Sequence, residues 1–293
     1  MKFIANNPSG DSNYAIALGN FDGIHLGHRC VIETTKIKAK HLGCKSAVFT
    51  FWPHPTKILK GNNINEILTL ERKIEMMKAI GIDDVFVIDF SLDFSMTTAE
   101  DLINQLCQRF KIKSITTGYN FRFGHNRHGN IETLHRMRDH YGFEYNAIKQ
   151  ILVDGCTVSS SVLRKVIQMG CMKVFKDFTG RKYSMEFKME GEIELLGYRA
   201  FKSRIINPSV LLPPVGAYFS VFNQNYYTTF LTENNEILLM PQDKPAAALM
   251  QTTNTIELIQ LIKQYKILDK SNQSKLLIDS CLKGTEFCLK YKR

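Results

Sequence analysis

Signals for membrane insertion or secretion are missing from this 293-residue sequence. It contains no apolar run of roughly eighteen residues, which excludes a hydrophobic membrane-spanning helix. The first residues, Met-Lys-Phe-Ile-Ala-Asn-Asn-Pro, become polar before a signal-peptide core could form. We therefore expect a cytoplasmic protein with no membrane partner.

Cysteine is sparse and irregularly spaced, with seven residues and no Cys-x-x-Cys pair. This pattern predicts reduced thiols and argues against a disulfide framework. No internal repeat or low-complexity tract is present. The length exceeds that of one compact core, so two domains are expected.

Three common signatures of nucleotide-dependent enzymes and hydrolases are also missing. Residues 124–129 have the glycine spacing of a P-loop without the following Lys-Ser/Thr. No Gly-x-Gly-x-x-Gly follows the first predicted strand, which disfavours a dinucleotide-dependent oxidoreductase. The serines at 159–161 lie outside a Gly-x-Ser-x-Gly context, which disfavours a hydrolase nucleophile.

Acidic residues are outnumbered, with 28 Asp and Glu against 38 Lys and Arg and a net charge of +10. The excess of positive charge predicts anionic partners. Within the basic segment 109–149, Arg136 and Arg138 fit a solvated helix face. Arg122 and Arg127 flank glycines in a predicted loop and are better candidates for phosphate contacts.

The first 170 residues alternate between strand-like and helix-like segments. This alternation predicts an α/β fold with βαβ units and a parallel, Rossmann-like sheet, in which ligands bind beyond the carboxyl ends of the strands. The predicted strands are 14–20, 45–51, 84–89, 114–118 and 143–149, and the predicted helices are about 27–41, 69–80, 98–109, 130–141 and 160–169.

From about Arg181 the pattern changes to short β-rich runs at 183–190, 192–196, 217–222, 226–231 and 237–240. The runs predict a small antiparallel barrel or sandwich. A helix-like tail is expected from about Thr255.

Residues 19–28 read Gly-Asn-Phe-Asp-Gly-Ile-His-Leu-Gly-His and follow the apolar strand candidate. Gly19, Gly23 and Gly27 allow a sharp turn and a close approach to a ligand. A helix starting near residue 26 would aim free N–H groups at a polyphosphate, and His25 and His28 can lean the same way. Zinc needs three or four ligands, and no further ligand is regularly spaced nearby, so no metal site is predicted.

The second candidate group lies at a later helix start. Serines there commonly act as N-caps. Alternatively, Ser160, Ser161 and Arg164 can converge on a phosphate, because Arg164 follows Ser161 by about one turn. Such elements suit nucleotidyl transfer, in which the protein positions reactants and stabilises charge. Mg²⁺ on a triphosphate needs few protein ligands.

Four segments together resemble the prokaryotic FAD synthetases, usually bifunctional riboflavin kinase/FMN adenylyltransferases. The segments cover residues 14–170 in family order. They are the His-x-Gly-His turn at 19–28, Thr-Phe-x-Pro-His-Pro at 50–55, Gly-x-[Asp/Asn]-Phe-x-Phe-Gly at 118–124 and Ser-Ser-Thr-x-x-Arg at 159–164, where Ser161 replaces the Thr.

The resemblance implies transfer of AMP from ATP, with Mg²⁺, to FMN, giving FAD and pyrophosphate. It assigns the ATP phosphates to a set comprising His25, His28, Ser160, Ser161 and Arg164, above the Gly27 turn. It assigns the nucleotide pocket to Asn20, Phe21 and Asp22, within the turn that contains Gly19 and Gly23, and the joined phosphates and flavin side to Asn120 and the His54 loop.

The resemblance also predicts the domains: an FMN adenylyltransferase domain at 1–181 and a degenerate riboflavin-kinase-like barrel with a terminal helix at 182–293. The family kinase motif Leu-Gly-Phe-Pro-Thr-Ala-Asn corresponds to 196–202, where Ala200 and Lys202 replace Thr and Asn. The following Leu-Leu-Pro-Pro-x-Gly-x-Tyr pattern is kept at 211–218. We therefore expect the barrel to be retained and its kinase activity lost.

Three alternatives stay open: a transferase with another acceptor phosphate, a bifunctional enzyme that keeps kinase activity, and a non-catalytic flavin or RNA sensor. Aromatic and basic residues interleave only at 121–123, too short a segment for a nucleic-acid stacking platform. The expected partners are therefore the small molecules ATP and FMN and not nucleic acid. The oligomeric state is left open.

Overall fold

The computed structural model describes residues 1–5, 12–61, 64–195, 198–242 and 254–264. The chain divides into two compact units, Met1–Ser160 and Ser161–Arg293. The domain boundary expected at 181/182 stays a prediction. That boundary separates two functional domains, whereas the two units are defined by contacts within the structure.

The first unit alternates strands with helices, as the sequence predicts. Its strands are Phe3–Ala5 (β1), Asn13–Leu18 (β2), Lys45–Trp52 (β3), Asp84–Asp89 (β4), Lys111–Gly118 (β5), Glu144–Ile148 (β6), Leu152–Val153 (β7) and Cys156–Thr157 (β8). Its helices are Leu26–His41 (α1), Pro55–Lys60 (α2), Leu70–Ile80 (α3), Leu92–Ser95 (α4), Ala99–Arg109 (α5) and Ile131–Tyr141 (α6), with a 3-10 turn at His125–Arg127.

Six strands form one sheet in the order β1-β4-β3-β2-β5-β6. The five strands β4, β3, β2, β5 and β6 run parallel to one another, and β1 pairs antiparallel with β4 at the edge of the sheet. Ile16 in β2 lies opposite Ala47 in β3 and Ile115 in β5. From β2 the chain builds outward to β3 and β4 and then returns to β5 on the other side, so a ligand crevice is expected beside β2.

Aromatic rings fill the core on one face of this sheet. The Phe49 ring centroid lies 4.8 Å from that of Phe86 and 4.9 Å from that of Phe110. Tyr14 and Phe3 pack edge-on against the same cluster. Each such pair contributes about 0.5–1.5 kcal/mol beyond its buried area. The cluster therefore holds β2, β3 and β4 together, and with them the loops at their carboxyl ends.

The second unit is a closed antiparallel barrel with strand order β10-β13-β12-β11-β14-β9, which confirms the predicted barrel. Helix Ser160–Gln168 (α7) begins at the last residue of the first unit and is followed by Met172–Thr179 (α8). The strands are Tyr183–Leu195 (β9), Tyr198–Ile205 (β10), Gly216–Phe222 (β11), Asn225–Leu231 (β12), Glu236–Pro241 (β13) and Asn254–Gln264 (β14).

The helix-like tail expected from Thr255 is wrong over Asn254–Gln264, which is strand β14. It pairs with β11 through two register shifts. These bulges break the alternation of apolar residues and leave spacings that resemble a helix. The rest of the expected tail lies outside the described residues, as do Leu196 and Gly197.

Candidate active site

A cleft of about 230 Å³ opens at the carboxyl ends of β2, β5 and β6, beside the strand where the sheet order reverses. Its position is that expected for a ligand site in an open parallel sheet. The lining residues are Leu18, Gly19, Asn20, Phe21, His25, Gly27, His28, Val31, Gly118, Tyr119, Asn120, Phe121, Ile148, Lys149, Ile151, Val158, Ser159 and Ser160.

The turn between β2 and α1 has an unusual backbone. Phe21 has φ 52° and Ile24 has φ 35°, both in the left-handed region, and Gly23 has φ 82°. A left-handed conformation costs a non-glycine residue about 1–2 kcal/mol and persists where its surroundings enforce it. The Phe21 ring folds back over Gly19, where an added Cβ would lie 3.0 Å from the ring. A side chain at position 19 would therefore push the Phe21 ring out of its place.

The two histidines of the turn stack on each other at the start of α1. Their ring centroids are 3.7 Å apart at an interplanar angle of 18°, and the Phe21 ring meets His28 edge-on at 5.3 Å. His25 is the N-cap: its Nδ1 accepts a hydrogen bond from the His28 backbone N–H at 3.3 Å. The first turn of α1 has no acidic residue, so no side chain of that turn offsets the positive end of the helix dipole.

Burial lowers the pKa of His28 well below its usual range, and the nearby His25 and the Lys73 ammonium lower that pKa further. The ring is therefore neutral at pH 7 and has one N–H to donate. Within the described residues its buried Nδ1 makes no hydrogen bond.

Ser160 lies at the cleft, and its Oγ donates a 2.8 Å hydrogen bond to the backbone carbonyl of Asp22. The hydroxyl therefore ties Ser160, the last residue of the first unit, to the histidine turn, and its oxygen keeps lone pairs that can accept. Tyr119 and Asn120, which follow β5, also line the cleft.

Of the other predicted residues, Asp22, His54 and Arg122 are not among those that line this cleft. Asp22 is buried, and its carboxylate accepts from the Ile67 backbone N–H at 3.1 Å. The His54 ring accepts from the Thr56 backbone N–H at 3.2 Å and caps α2. Arg122 is exposed. Gly23 shapes the turn without lining the cleft.

Ser161 and Arg164 belong to α7 in the second unit. Ser161 is exposed and Arg164 is partly buried. Their roles at the ATP phosphates stay predictions.

Four further residues that line the cleft were not among the predicted site residues. Ile148 and Lys149 at the end of β6, with Ile151 and Val158 beyond it, add an apolar wall and a cationic side chain. The available signal was their place at or just beyond the end of a predicted strand, because strand ends meet at one edge of a parallel sheet.

The described residues contain no group of three or more His, Cys, Asp or Glu side chains able to hold a metal ion. In the same ranges, none of the helices combines the length and apolar composition needed for a membrane span.

The reversed strand order and the helix N-terminus at the cleft are typical of an α/β nucleotide-binding domain. The sequence model of the FAD synthetase family matches residues 7–162, just over half of the chain. The chain belongs to the FAD synthetase family.

Several curated relatives are described as bifunctional riboflavin kinase/FMN adenylyltransferases. That of Listeria monocytogenes is 27% identical over 73% of this chain and 69% of its own length. That of Buchnera aphidicola subsp. Schizaphis graminum is 32% identical over 60% of this chain and 57% of its own length. That of Bacillus subtilis is 27% identical over 69% and 65%. The chain thus spans between about half and two thirds of such relatives.

A similar solved structure is a protein from Streptococcus pneumoniae described as a macrolide-efflux protein. It matches with a TM-score of 0.80 over 95% of both chains at 18% identity. At this identity the likeness shows a common fold alone.

Proposed function

We propose that this chain is an FMN adenylyltransferase that transfers AMP from ATP to FMN and releases pyrophosphate. The observation that carries the proposal is the stacked histidine pair at the N-terminus of α1. The pair lines the cleft beside β2, where the strand order reverses, in a member of the FAD synthetase family. The family relatives described as FMN adenylyltransferases support the choice of acceptor.

In the proposed reaction an oxygen of the FMN phosphate attacks the α-phosphorus of ATP. A new P–O bond forms as the bond from the α-phosphorus to the bridging oxygen of the β-phosphate breaks, and pyrophosphate leaves with that electron pair. Mg²⁺ enters with ATP as part of the substrate, since octahedral magnesium keeps much of its water and needs few protein ligands.

The chain's own groups position the phosphates and stabilise their charge, and no covalent nucleophile is needed. His28, held neutral, donates its N–H to a phosphate oxygen. The dipole of α1 and the Lys149 ammonium add positive potential. The apolar side chains of Ile148, Ile151 and Val158 offer a surface for a planar ring.

The test is a product assay with the full chain and MgATP, in which FMN, riboflavin and nicotinamide mononucleotide are offered side by side. We expect FAD and pyrophosphate in equal amounts from FMN alone. Adenylylation of nicotinamide mononucleotide with no FAD would reject the proposed acceptor. If none of the three acceptors reacts, the proposal that this chain is an adenylyltransferase is rejected.

We further infer that the barrel lacks riboflavin kinase activity. By the family resemblance, Ala200 and Lys202 stand where the kinase motif has Thr and Asn. Ala200 is buried and offers no hydroxyl. The Lys202 ammonium lies 2.9 Å from the Glu236 carboxylate and 4.0 Å from that of Glu190, so its charge is already paired, and an ammonium cannot bind a metal.

Riboflavin with MgATP should therefore yield no FMN with this chain, under conditions in which the Bacillus subtilis relative serves as the positive control. Any FMN formed would overturn this part of the proposal. We place the reaction in the cytoplasm, which the free cysteines Cys30, Cys44 and Cys107 support.

A further inference from the structure

Lys73 projects from α3 into the interior of the first unit and is 4% exposed. Its Nζ donates to the Asn20 carbonyl at 3.2 Å, to the Thr50 hydroxyl at 3.3 Å and to the Phe51 carbonyl at 3.5 Å. An ammonium has three donors, and all three are used. A lysine this deeply buried is rare and needs a reason.

The Asn20 carbonyl is held from two sides. The Thr50 hydroxyl also donates to it, at 3.0 Å, so Lys73, Thr50 and Asn20 form a closed triangle of hydrogen bonds. Asn20 directly precedes Phe21, which has φ 52° and whose ring contacts His28. The triangle therefore fixes the backbone of Asn20, which precedes Phe21 in its left-handed conformation, and the Phe21 ring in turn contacts the His28 ring.

We propose that Lys73 is a positioning residue for AMP transfer: its buried ammonium fixes the Asn20 carbonyl, and through Phe21 the His28 ring, in the geometry that receives the ATP phosphates. Its effect on turnover rests on the proposed function. Its effect on the His28 ring does not.

The charge of Lys73 acts on the same ring. Burial lowers the pKa of Lys73 to about 8 against the opposing influence of the Asp22 and Glu66 carboxylates, so the ammonium persists at pH 7. That charge lowers the pKa of His28, after burial and together with His25.

The test compares Lys73→Met, which keeps the length and removes the charge, with Lys73→Arg, which keeps the charge. Lys78→Met is the matched control, because Lys78 is exposed on the same helix. Steady-state kinetics give kcat and the KM for ATP, and an NMR titration of the imidazole protons gives the His28 pKa, with His28→Asn identifying its signal.

We expect Lys73→Met to lower kcat about tenfold or more, with a smaller change in KM, because displacement of a positioning group acts mainly on the transition state. The His28 pKa should rise in Lys73→Met and stay near the wild-type value in Lys73→Arg and Lys78→Met. A folded Lys73→Met with kcat within about twofold of wild type, or with an unshifted His28 pKa, would overturn the proposal.

If Lys73→Met does not fold, Thr50→Val decides, since it removes the second donor to the Asn20 carbonyl and one acceptor of the Lys73 ammonium while it leaves the charge. A fall in kcat of about tenfold supports the role of the triangle, and an unchanged kcat overturns it. If the wild-type chain makes no FAD, the proposed function fails, and the NMR titration alone then decides for or against Lys73.

Discussion

Replacing His28 by Ala tests the chemistry of the cleft most directly. The wild-type ring is neutral, stacked on His25 at 3.7 Å and braced by Phe21, so its donor is fixed before the reaction begins. Loss of one such preorganised donor lowers kcat by about 10²–10³-fold, equivalent to about 2.7–4 kcal/mol of transition-state stabilisation. We expect kcat of His28→Ala to fall by at least about 10²-fold.

The assay is the initial rate of FAD formation at saturating FMN with MgATP varied. Ala is a good helix former, and the N-cap uses only the His28 backbone N–H, so the variant should unfold near the wild-type temperature. His41→Ala, at the exposed end of the same helix, is the control and should keep wild-type turnover. Near-normal turnover of a folded His28→Ala would remove this ring from the mechanism.

Three further predictions concern stability, measured by urea unfolding. His25→Ala should lose about 0.5–2 kcal/mol with the N-cap, and His25→Asn, which keeps an acceptor, should lose less; equal losses would exclude the cap. The pKa of His28 is lowered on folding, so only the unfolded chain binds a proton there near pH 6.5. The free energy of unfolding should therefore fall as the pH is lowered from about 7.5 to about 5.5, and it should fall less in His28→Asn. Equal pH slopes for the two proteins would contradict this. Gly124→Ala should lower the free energy of unfolding by about 2–5 kcal/mol, because φ is 72° and the new Cβ would lie 2.5 Å from the Ala99 backbone N. Gly142→Ala, with φ 73° and open space around the new Cβ, should lower it by about 1–2 kcal/mol. Similar losses in the two variants would refute the close contact at Gly124.

Elements with a clean pattern were predictable from the sequence. The apolar runs of β2, β3 and β4 are buried on both faces, and α1, α3 and α5 begin beside side chains that cap them. Short elements such as α2 and α4 were missed, because a few residues carry too little periodicity. β10 was missed because its buried and exposed residues do not alternate regularly.

The cleft was predictable where a motif follows a strand, as at His25, His28 and Asn120. Lys73 was not, since a lysine in an amphipathic helix is ordinarily solvated, and only the packing of α3 shows that this one points inward. The roles predicted for Asp22 and His54 stay predictions; the structure adds that their side chains accept hydrogen bonds from the backbone N–H groups of Ile67 and Thr56.

Closure of the barrel by β14 has a consequence for biosynthesis. β14 pairs with both β9 and β11, so the cylinder cannot form until the ribosome has released Asn254–Gln264. The first unit emerges earlier and can fold while β9 and β11 still present unpaired edges. A nascent chain stalled before β14 would therefore carry a folded first unit attached to an incomplete sheet, whose unpaired strand edges are prone to aggregation.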